Sequence, residues 1–270
     1  MYYIVQENTF REENYDTLIH SLERGGLEYE IVKVLPFTDE IEFKTDRKDI
    51  FVFGSLKLAR IAKNYNWNPG SLSNKNHDYE VYSQYYQENL LNYDSIIQNF
   101  TDEIDWNYPL KFIRPSLDTK TFTGKVFTED KWKEFVHYSL TNGHETSLCA
   151  TTKIQVASPK WIQKEIRLWI IDGEVITGSQ YRLGDNTIYS DFIDPEAIEF
   201  AERMIKKFEL AKAFVMDVCL VDNKWKIVEV GCINSAGFYK ANLLKVIDKL
   251  EECYSYLNKN INSSIDGPML

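Results

Sequence analysis

The sequence predicts a mixed α/β (α+β) protein in which a small parallel sheet precedes a larger, strand-rich region. Strand-like and helix-like segments alternate at the start of the chain, an order that favours a parallel sheet. Further along, apolar strands separated by short polar turns dominate, as they do in antiparallel sheets. The 270 residues are 44% hydrophobic and 27% charged, which is enough apolar side chain for a substantial core.

The N-terminal region is predicted to be Rossmann-like. Its pattern gives strand, helix, strand, strand and helix over 2–6, 15–24, 30–35, 50–53 and 56–65. Gly25 and Gly26 end the first helix, since glycine tolerates the left-handed cap. The region contains no G-x-G-x-x-G sequence, so a dinucleotide site here has no support.

The remaining elements follow from the same periodicities. We expect a loop over 66–78, then a tyrosine-rich helical stretch to about Asn99, and a polar break at Asp102, Glu103 and Asp105. Strands are predicted at 110–114, 125–127 and 152–157, and a strand-rich block at 165–189. Helices are predicted at 131–138, 195–208 and 241–257, and a strand hairpin at 214–221 and 225–230.

Charge and composition exclude several classes of protein. The formal net charge of −10 repels phosphate backbones and anionic membranes, so we expect neither nucleic acid nor membrane as a partner. No apolar run is long enough for a bilayer and no secretory signal is visible, which predicts a cytoplasmic protein. The four cysteines are scattered, which argues against a disulfide framework or a cysteine zinc site.

The hairpin places one acidic residue, Asp217 or Glu229, in each of two apolar strands, where burial without a partner is costly. A three-residue turn over 222–224 would place the two carboxylates opposite each other, whereas a two-residue turn would place them on opposite faces. Facing side chains have Cβ atoms about 4.5–5.5 Å apart, close enough to share a cation. Oxygen ligands suit Mg²⁺. The alternative is a solvated strand face.

Two negative charges in one partly desolvated space repel each other. Without a cation, we therefore expect at least one of Asp217 and Glu229 to hold its proton above the reference pKa.

Two further segments concentrate cations. Residues 111–124 combine Arg114 and Lys120 with hydroxyls and a glycine, which is consistent with a flap over phosphates or with a basic surface hairpin. In a strand, Glu165 and Arg167 share a face, and taken alone that spacing favours a structural salt bridge.

The order of these parts resembles the ATP-grasp superfamily, and specifically its phage- and bacteria-associated branch named for two arginines and a lysine. The matching pieces are F-I-R-P-S-L-D-T-K-T-F-T-G (112–124), E-I-R-L-W (165–169), G-S-Q-Y-R (178–182), M-D-V (216–218) and V-E-V-G-C-I-N-S-A-G-F-Y (228–239). N-W-N-P-G (66–70) and L-L-N-Y-D (90–94) are similar to the N-terminal region of that branch. The resemblance covers nearly the whole chain.

The resemblance implies an ATP-grasp fold with an N-terminal Rossmann-like domain (1–100), a small lid subdomain (101–160) and a C-terminal catalytic subdomain (161–270). It implies an ATP-dependent carboxylate–amine ligase that uses magnesium–ATP and forms an acyl phosphate. The carboxylate substrate would be a small molecule, a peptide or a protein terminus. A small-molecule kinase of the same fold and a non-catalytic nucleotide-binding protein stay open as alternatives.

The resemblance also assigns roles to cations. Arg114 would contact the phosphates, Lys120 would lie in the loop that closes over them, and Arg167 would contact the γ-phosphate and the acyl phosphate. Arg182 is the candidate for binding the acceptor carboxylate.

Nucleotide and metal contacts are assigned in the same way. Backbone groups near Gln155, Val156 and Ser158 would bind adenine, and Glu165 would lie beside the nucleotide. Asp217 and Glu229 correspond to the metal carboxylates. The superfamily usually shows Glu-x-Asn, but Gly231 stands at that position here. Either Asn234 supplies the missing amide ligand, or a second magnesium ion would be held by fewer protein ligands.

Overall fold

Three sheets organise the computed structural model of this chain. The structure describes residues 1–7, 15–35, 38–117, 121–142 and 148–263, with the last nine described by their backbone alone. Among the described helices, none combines the length and the apolarity that a bilayer span requires.

The first sheet is parallel, as predicted. Its strands are β1 (Tyr2–Gln6), β2 (Tyr29–Val32) and β3 (Ile50–Phe53), and β1 is central. Helix α1 (Tyr15–Arg24) lies between β1 and β2, and helix α2 (Leu56–Asn64) follows β3. Such parallel neighbours need a crossover connection, which α1 supplies.

Both faces of this parallel sheet are buried, which explains its uninterrupted apolar strands. Ile4 and Val52 on one face pack with Leu58 of α2. Tyr3 and Phe53 on the other face belong to a core shared with the C-terminal half of the chain. The sheet is therefore fixed against the rest of the molecule by a continuous apolar layer.

The second sheet lies mostly within the segment predicted as the lid subdomain, and we call it the lid. Its strands are β4 (Ile96–Asn99), β5 (Lys111–Pro115), β6 (Lys125–Phe127) and β7 (Lys153–Ala157), in the order β4-β7-β5-β6 and antiparallel throughout. Helix α4 (Glu129–Thr141) contributes Trp132 to the lid core. Because β4 pairs with β7, the lid sheet starts a few residues before the predicted boundary at residue 101.

The tyrosine-rich stretch before β4 differs from the prediction. Helix α3 (Tyr79–Tyr86) ends well before Asn99, where the backbone of Gln87 takes a positive φ of 49°. Tyr79, Tyr82 and Tyr86 of this helix pack against the large third sheet described below, and Ile96 and Ile97 pair with β7. Tertiary packing and strand pairing override the local helical pattern here.

The third sheet, which we call the C-terminal sheet, is the largest and carries most of the acidic and basic residues that the sequence singles out for the site. Its strands are β8 (Lys164–Ile171), β9 (Glu174–Leu183), β10 (Asn186–Ser190), β11 (Ala213–Val221) and β12 (Lys224–Cys232), in the order β10-β9-β8-β11-β12. All neighbours are antiparallel. Helix α5 (Pro195–Lys207) packs on one face, and helix α6 (Leu243–Ser263) joins the core on the other.

The hairpin of β11 and β12 places Asp217 opposite Glu229, but not by the predicted three-residue turn. Val221 pairs with Lys224, so the turn has two residues, Asp222 and Asn223, both with positive φ. A bulge follows Asp217 in the ladder and shifts the register by one residue. The bulge restores the facing arrangement that a two-residue turn alone would have prevented.

The two-residue turn generates a stability prediction. Asn223 has a φ of 59°, a conformation that glycine adopts freely and β-branched residues resist. Asn223→Gly is expected to raise the free energy of unfolding by up to about 1 kcal/mol, and Asn223→Val to lower it by about 1–2 kcal/mol. Urea denaturation measures both. Lys224→Val is the control, and an unchanged midpoint for Asn223→Val would contradict the observed turn.

Candidate functional site

A cleft of ≈ 730 Å³ lies between the lid and the C-terminal sheet. Strands β5 and β6 line it from above, and strands β8, β9, β11 and β12 from below. Six charged residues that the sequence singles out meet in its lining: Arg114, Glu165, Arg167, Arg182, Asp217 and Glu229. The structure therefore brings together most of the predicted site.

Strand register produces the central part of the cleft floor. Asp217 on β11 is paired with Arg167 of β8 on one side and with Glu229 of β12 on the other. The three side chains therefore form a row across three adjacent strands, which we call the charged row. Sequence reasoning paired the two acids but did not place Arg167 beside them, because β8 is distant in sequence from both.

Arg167 and Asp217 form a two-pronged ion pair. Arg167 donates from Nε to Asp217 Oδ1 and from Nη2 to Asp217 Oδ2, each at 2.8 Å, and from Nη1 to the carbonyl of Gly237 at 3.2 Å. Asp217 is 3% exposed and Arg167 11%, so water screens the pair poorly. Two parallel charge-assisted bonds fix the guanidinium in the plane of the carboxylate.

The charges of this pair move each other's pKa. Burial raises the pKa of Asp217 above its ordinary value; Arg167 opposes this, and Glu229 adds a smaller rise. Burial lowers the pKa of Arg167, but the charge and hydrogen bonds of Asp217 raise it by more, so this pKa lies well above its usual value. The raised pKa of Asp217 agrees with the expectation from the sequence, although burial contributes more to it than Glu229.

Glu229 has its own arginine. The Arg114 guanidinium of lid strand β5 donates through Nη2 to Glu229 Oε2, so this ion pair spans the cleft from the lid to the C-terminal sheet. Arg114 is 22% exposed and Glu229 34%, which leaves this pair more open to solvent than Arg167–Asp217. The two acids are therefore not an uncompensated pair: each is neutralised by an arginine.

A third acidic residue, Glu165, adjoins the charged row. Glu165 is buried, accepts a hydrogen bond from the Tyr181 hydroxyl at 2.7 Å and one from Arg182 Nη1 at 2.8 Å. The same hydroxyl lies 3.3 Å from Asp217 Oδ2. Burial, with the nearby charges of Asp217 and Glu165, raises the pKa of Tyr181 well above its usual value. Tyr181 stays a neutral donor linking the two acids.

Tyr181 and Tyr239 are site residues that the sequence analysis passed over. The Arg167 guanidinium carbon lies 4.9 Å from the centre of the Tyr239 ring and 5.9 Å from that of Tyr181, within cation–π range. Both tyrosines line the cleft. The available signal was their position inside the two motifs that also contain Arg182 and Glu229.

The segment predicted to bind adenine, residues 155–158, contributes no side chain to the cleft lining. Val156 packs in the lid core, Gln155 is buried and donates to Ser95 Oγ at 2.7 Å, and Ser158 donates to Asp94 at 2.5 Å. None of these three side chains lines the cleft, which instead meets the next stretch, 159–162. The sequence prediction there concerned backbone groups, and it stays a prediction. Lys120 lies outside the described residues.

Asn234 is not brought to the charged row. Its amide donates from Nδ2 to the carbonyl of Val52 at 2.6 Å, and its Oδ1 accepts from the backbone of Leu72 at 2.8 Å and from Cys232 Sγ at 3.1 Å. It is 1% exposed and lines neither the cleft nor the smaller cavity beside Asp217. Its side chain therefore links the segment after β12 to β3 and to the loop at Leu72, which is a structural role, and the metal-ligand assignment stays a prediction.

This structural role generates a prediction. Asn234→Ala leaves the carbonyl of Val52 and the amide of Leu72 buried without that partner, each costing about 1–3 kcal/mol. Thermal or urea unfolding should show a loss of at least about 2 kcal/mol, and exposed Asn186→Ala should show none. Normal stability with a selective loss of metal affinity would restore Asn234 as a ligand.

The comparisons with known proteins agree with this geometry. The model of an ATP-grasp domain family, family 3 of the clade named for two arginines and a lysine, matches residues 66–250. No curated protein matches the chain.

Solved structures show the same fold at low sequence identity. D-alanine–D-alanine ligase from Bacillus anthracis in complex with ATP superposes with a TM-score of 0.61 at 14% identity, covering 96% of this chain and 99% of that one. D-cycloserine synthetase gives 0.61 at 9% identity, with 94% and 99% coverage. A RimK domain ATP-grasp protein from Sphaerobacter thermophilus gives 0.57 at 14%, with 90% and 92% coverage.

The family match covers more than half of the chain, and it includes the lid, the cleft and the charged row. The ATP-grasp fold of the neighbours extends over nearly all of it. This chain belongs to the ATP-grasp domain family, in family 3 of its two-arginine, one-lysine clade.

Proposed function

We propose that this protein is an ATP-dependent carboxylate–amine ligase. One observation carries the proposal: the charged row of Arg167, Asp217 and Glu229 lies on the floor of a cleft whose lid provides Arg114. Membership of the ATP-grasp family and the ligase neighbours support this reading. The residue roles and the acyl-phosphate route are our proposal.

The residues suit magnesium held with a nucleotide. Asp217 and Glu229 offer carboxylate oxygens from directly opposed positions, and oxygen donors are what Mg²⁺ prefers. The described residues contain no cluster of three or more potential ligands, so water and phosphate oxygens would complete the coordination. When bound, magnesium would neutralise charge on the β- and γ-phosphates.

The cleft has two chemically different sides. Phosphates would lie over the charged row, with Arg114 and Arg167 as their cations. The apolar side is lined by Leu91, Trp161, Ile162 and Val228, which we assign to the adenine ring. A nucleotide in this orientation would compete with Glu229 for Arg114, because phosphate and carboxylate use the same guanidinium edge.

The reaction needs fixed charge more than a side-chain nucleophile. A substrate carboxylate oxygen attacks the γ-phosphorus, ADP leaves, and an acyl phosphate forms; an amine then attacks the acyl carbon, phosphate leaves and the amine loses a proton. Charge develops on phosphoryl oxygens in the first step, and cations held in place beforehand stabilise it without reorganisation. Asp217 and Tyr239 hold Arg167 in such a fixed position.

Arg182 lies at the end of the cleft that we assign to the acceptor. It donates through Nη1 to Glu165 and through Nε to the carbonyl of Gly184, yet 45% of its side chain is exposed. A guanidinium that is anchored on one side and half-exposed towards a cleft suits a carboxylate ligand. We therefore propose a carboxylate-bearing small molecule, peptide or protein terminus as the acceptor.

Magnesium–ATP is predicted to stabilise the fold, and ADP production is predicted to depend on Glu229. At ATP near 100 times its dissociation constant, linkage predicts about 2.7 kcal/mol of stabilisation. Glu229→Gln should lower ADP production at least about 100-fold, since it weakens the proposed cation site at the phosphates. Glu202→Gln, an exposed glutamate of α5, is the matched control. Thermal shift and ADP release measure both effects; a shift independent of magnesium would contradict the proposal.

The ligase reaction itself is tested by its requirement for two substrates. With magnesium–ATP and a library of carboxylates, sustained ADP release should require an amine, and new amide masses should appear. Sustained ADP release without an amine, accompanied by a phosphorylated product, would replace the ligase with a kinase.

A further inference from the structure

The outer edge of the C-terminal sheet carries an exposed apolar strip. Strand β10 is the edge strand and pairs with β9 alone among the described strands. Four of its five residues are exposed, and Ile188 and Tyr189 are 40% and 47% accessible. Phe192, just beyond the strand, is 66% exposed, and Leu183 at the end of β9 is 44% exposed. We call these four side chains the edge strip.

This edge lacks the usual protection. Exposed edge strands normally carry lysine, proline or other charged side chains that discourage pairing with another chain. Strand β10 reads Asn-Thr-Ile-Tyr-Ser and contains none of these. The bulge between Thr187 and Ser190 gives it some protection, and the acidic neighbours Asp185 and Asp191 lie outside the strand. Apolar side chains kept at an unprotected edge indicate a surface that is covered in use.

The edge strip is continuous with the cleft. Tyr189 stacks on Tyr239, with ring centres 5.3 Å apart and planes 17° apart, and Tyr239 stacks on Tyr181 at 4.9 Å. Tyr181 and Tyr239 line the cleft, whereas Tyr189 belongs to the strip. The bulge in β10 permits this, since a bulge re-aims side chains out of the regular alternation. Three stacked rings thus lead from the outer surface to the charged row.

Arg182 stands at the junction of the strip and the cleft. In the β9–β10 ladder it is paired with Thr187, directly before Ile188, and it lines the cleft at the same time. A carboxylate held by Arg182 would therefore have the edge strip on its outer side. Phe192 follows Thr187, the strand partner of Arg182, by five residues and lies beyond the end of β10, so an extended acceptor of several residues is suited to contact both Arg182 and Phe192.

We propose that the edge strip binds the segment preceding the carboxyl terminus of a peptide or protein acceptor, in extended form, with apolar side chains on Ile188, Tyr189 and Phe192. The inference rests on the ligase proposed above and selects a peptide over a small-molecule acceptor. An extended peptide uses an open sheet edge through its backbone and the apolar strip through its side chains. A second copy of this chain is the less suitable occupant, because two chains of net charge −10 repel each other.

Binding of labelled peptides tests the proposal without requiring turnover. Two N-terminally fluorescein-labelled octapeptides with a free carboxyl terminus are compared by anisotropy, one with Val, Phe and Leu in its last four positions and one with Ser and Gly there. The apolar peptide should bind at least about tenfold more tightly to the full chain. The double variant Ile188→Ser/Phe192→Ser should remove that preference, since it removes the apolar contacts.

A matched control separates the strip from general surface hydrophobicity. Ile31 is 41% exposed on β2, an edge strand of the parallel sheet, so Ile31→Ser removes an equivalent side chain far from the cleft. It should leave peptide binding unchanged, and all variants should keep the magnesium–ATP thermal shift. The absence of a magnesium–ATP thermal shift in the wild type would count against the proposed function. A preference of the wild type for the apolar peptide would still support peptide binding at the edge strip.

Three results would overturn the proposal: equal affinity for the two peptides, retention of the preference in the double variant, or a concentration-dependent dimer that the double variant abolishes. Amidation of the apolar peptide's carboxyl terminus should weaken its binding, because Arg182 then loses its partner, and unchanged affinity would remove Arg182 from the proposal.

Discussion

The buried ion pair between Arg167 and Asp217 is the constraint on which the cleft depends. Neither charge is stable there alone, because moving an ion out of water costs several kcal/mol even after relaxation. Strand register brings the two together, and two 2.8 Å bonds hold them in one plane. The remaining contacts of the pair, with Gly237, Tyr239 and Tyr181, fix the same guanidinium further. The cation that we propose for the phosphoryl group is thereby placed before any nucleotide arrives.

The surrounding fold supplies the rigidity that this pair needs. One face of the C-terminal sheet packs against the parallel sheet through a shared apolar core, and Asn234 joins the two sheets by hydrogen bonds. The lid is connected differently, since its contact with the charged row is the partly exposed pair of Arg114 and Glu229. An ion pair of this kind contributes little to stability and yields easily to a better ligand. A rigid floor, held by Arg167 and Asp217, and a lid contact that can be exchanged, between Arg114 and Glu229, are together suited to a cleft that closes on a nucleotide.

Much of the fold and part of the candidate site were predictable from residue patterns. Alternation of strands and helices predicted the parallel sheet, and the motif order predicted the family. The facing of Asp217 and Glu229 was predicted for the wrong reason: the turn has two residues, and a bulge that no local signal marks restores the register. The place of Arg167 in the charged row and its contacts with Tyr181 and Tyr239 were not predicted, because they bring together segments that lie far apart in the chain. The hydrogen bonds of Asn234 to Val52 and Leu72 were also not predictable, because these partners lie in the parallel sheet or beside it, far away in sequence.

The most direct test of the account is a crystal structure of the chain with manganese and a non-hydrolysable ATP analogue, using anomalous scattering to locate the metal. Manganese takes the oxygen ligands that magnesium takes. We expect an anomalous peak bound by both Asp217 and Glu229, with Arg114 released from Glu229 onto the phosphates and Arg167 still anchored beside Tyr239. A nucleotide bound elsewhere, or a metal that touches neither carboxylate while both arginine pairs persist, would contradict it.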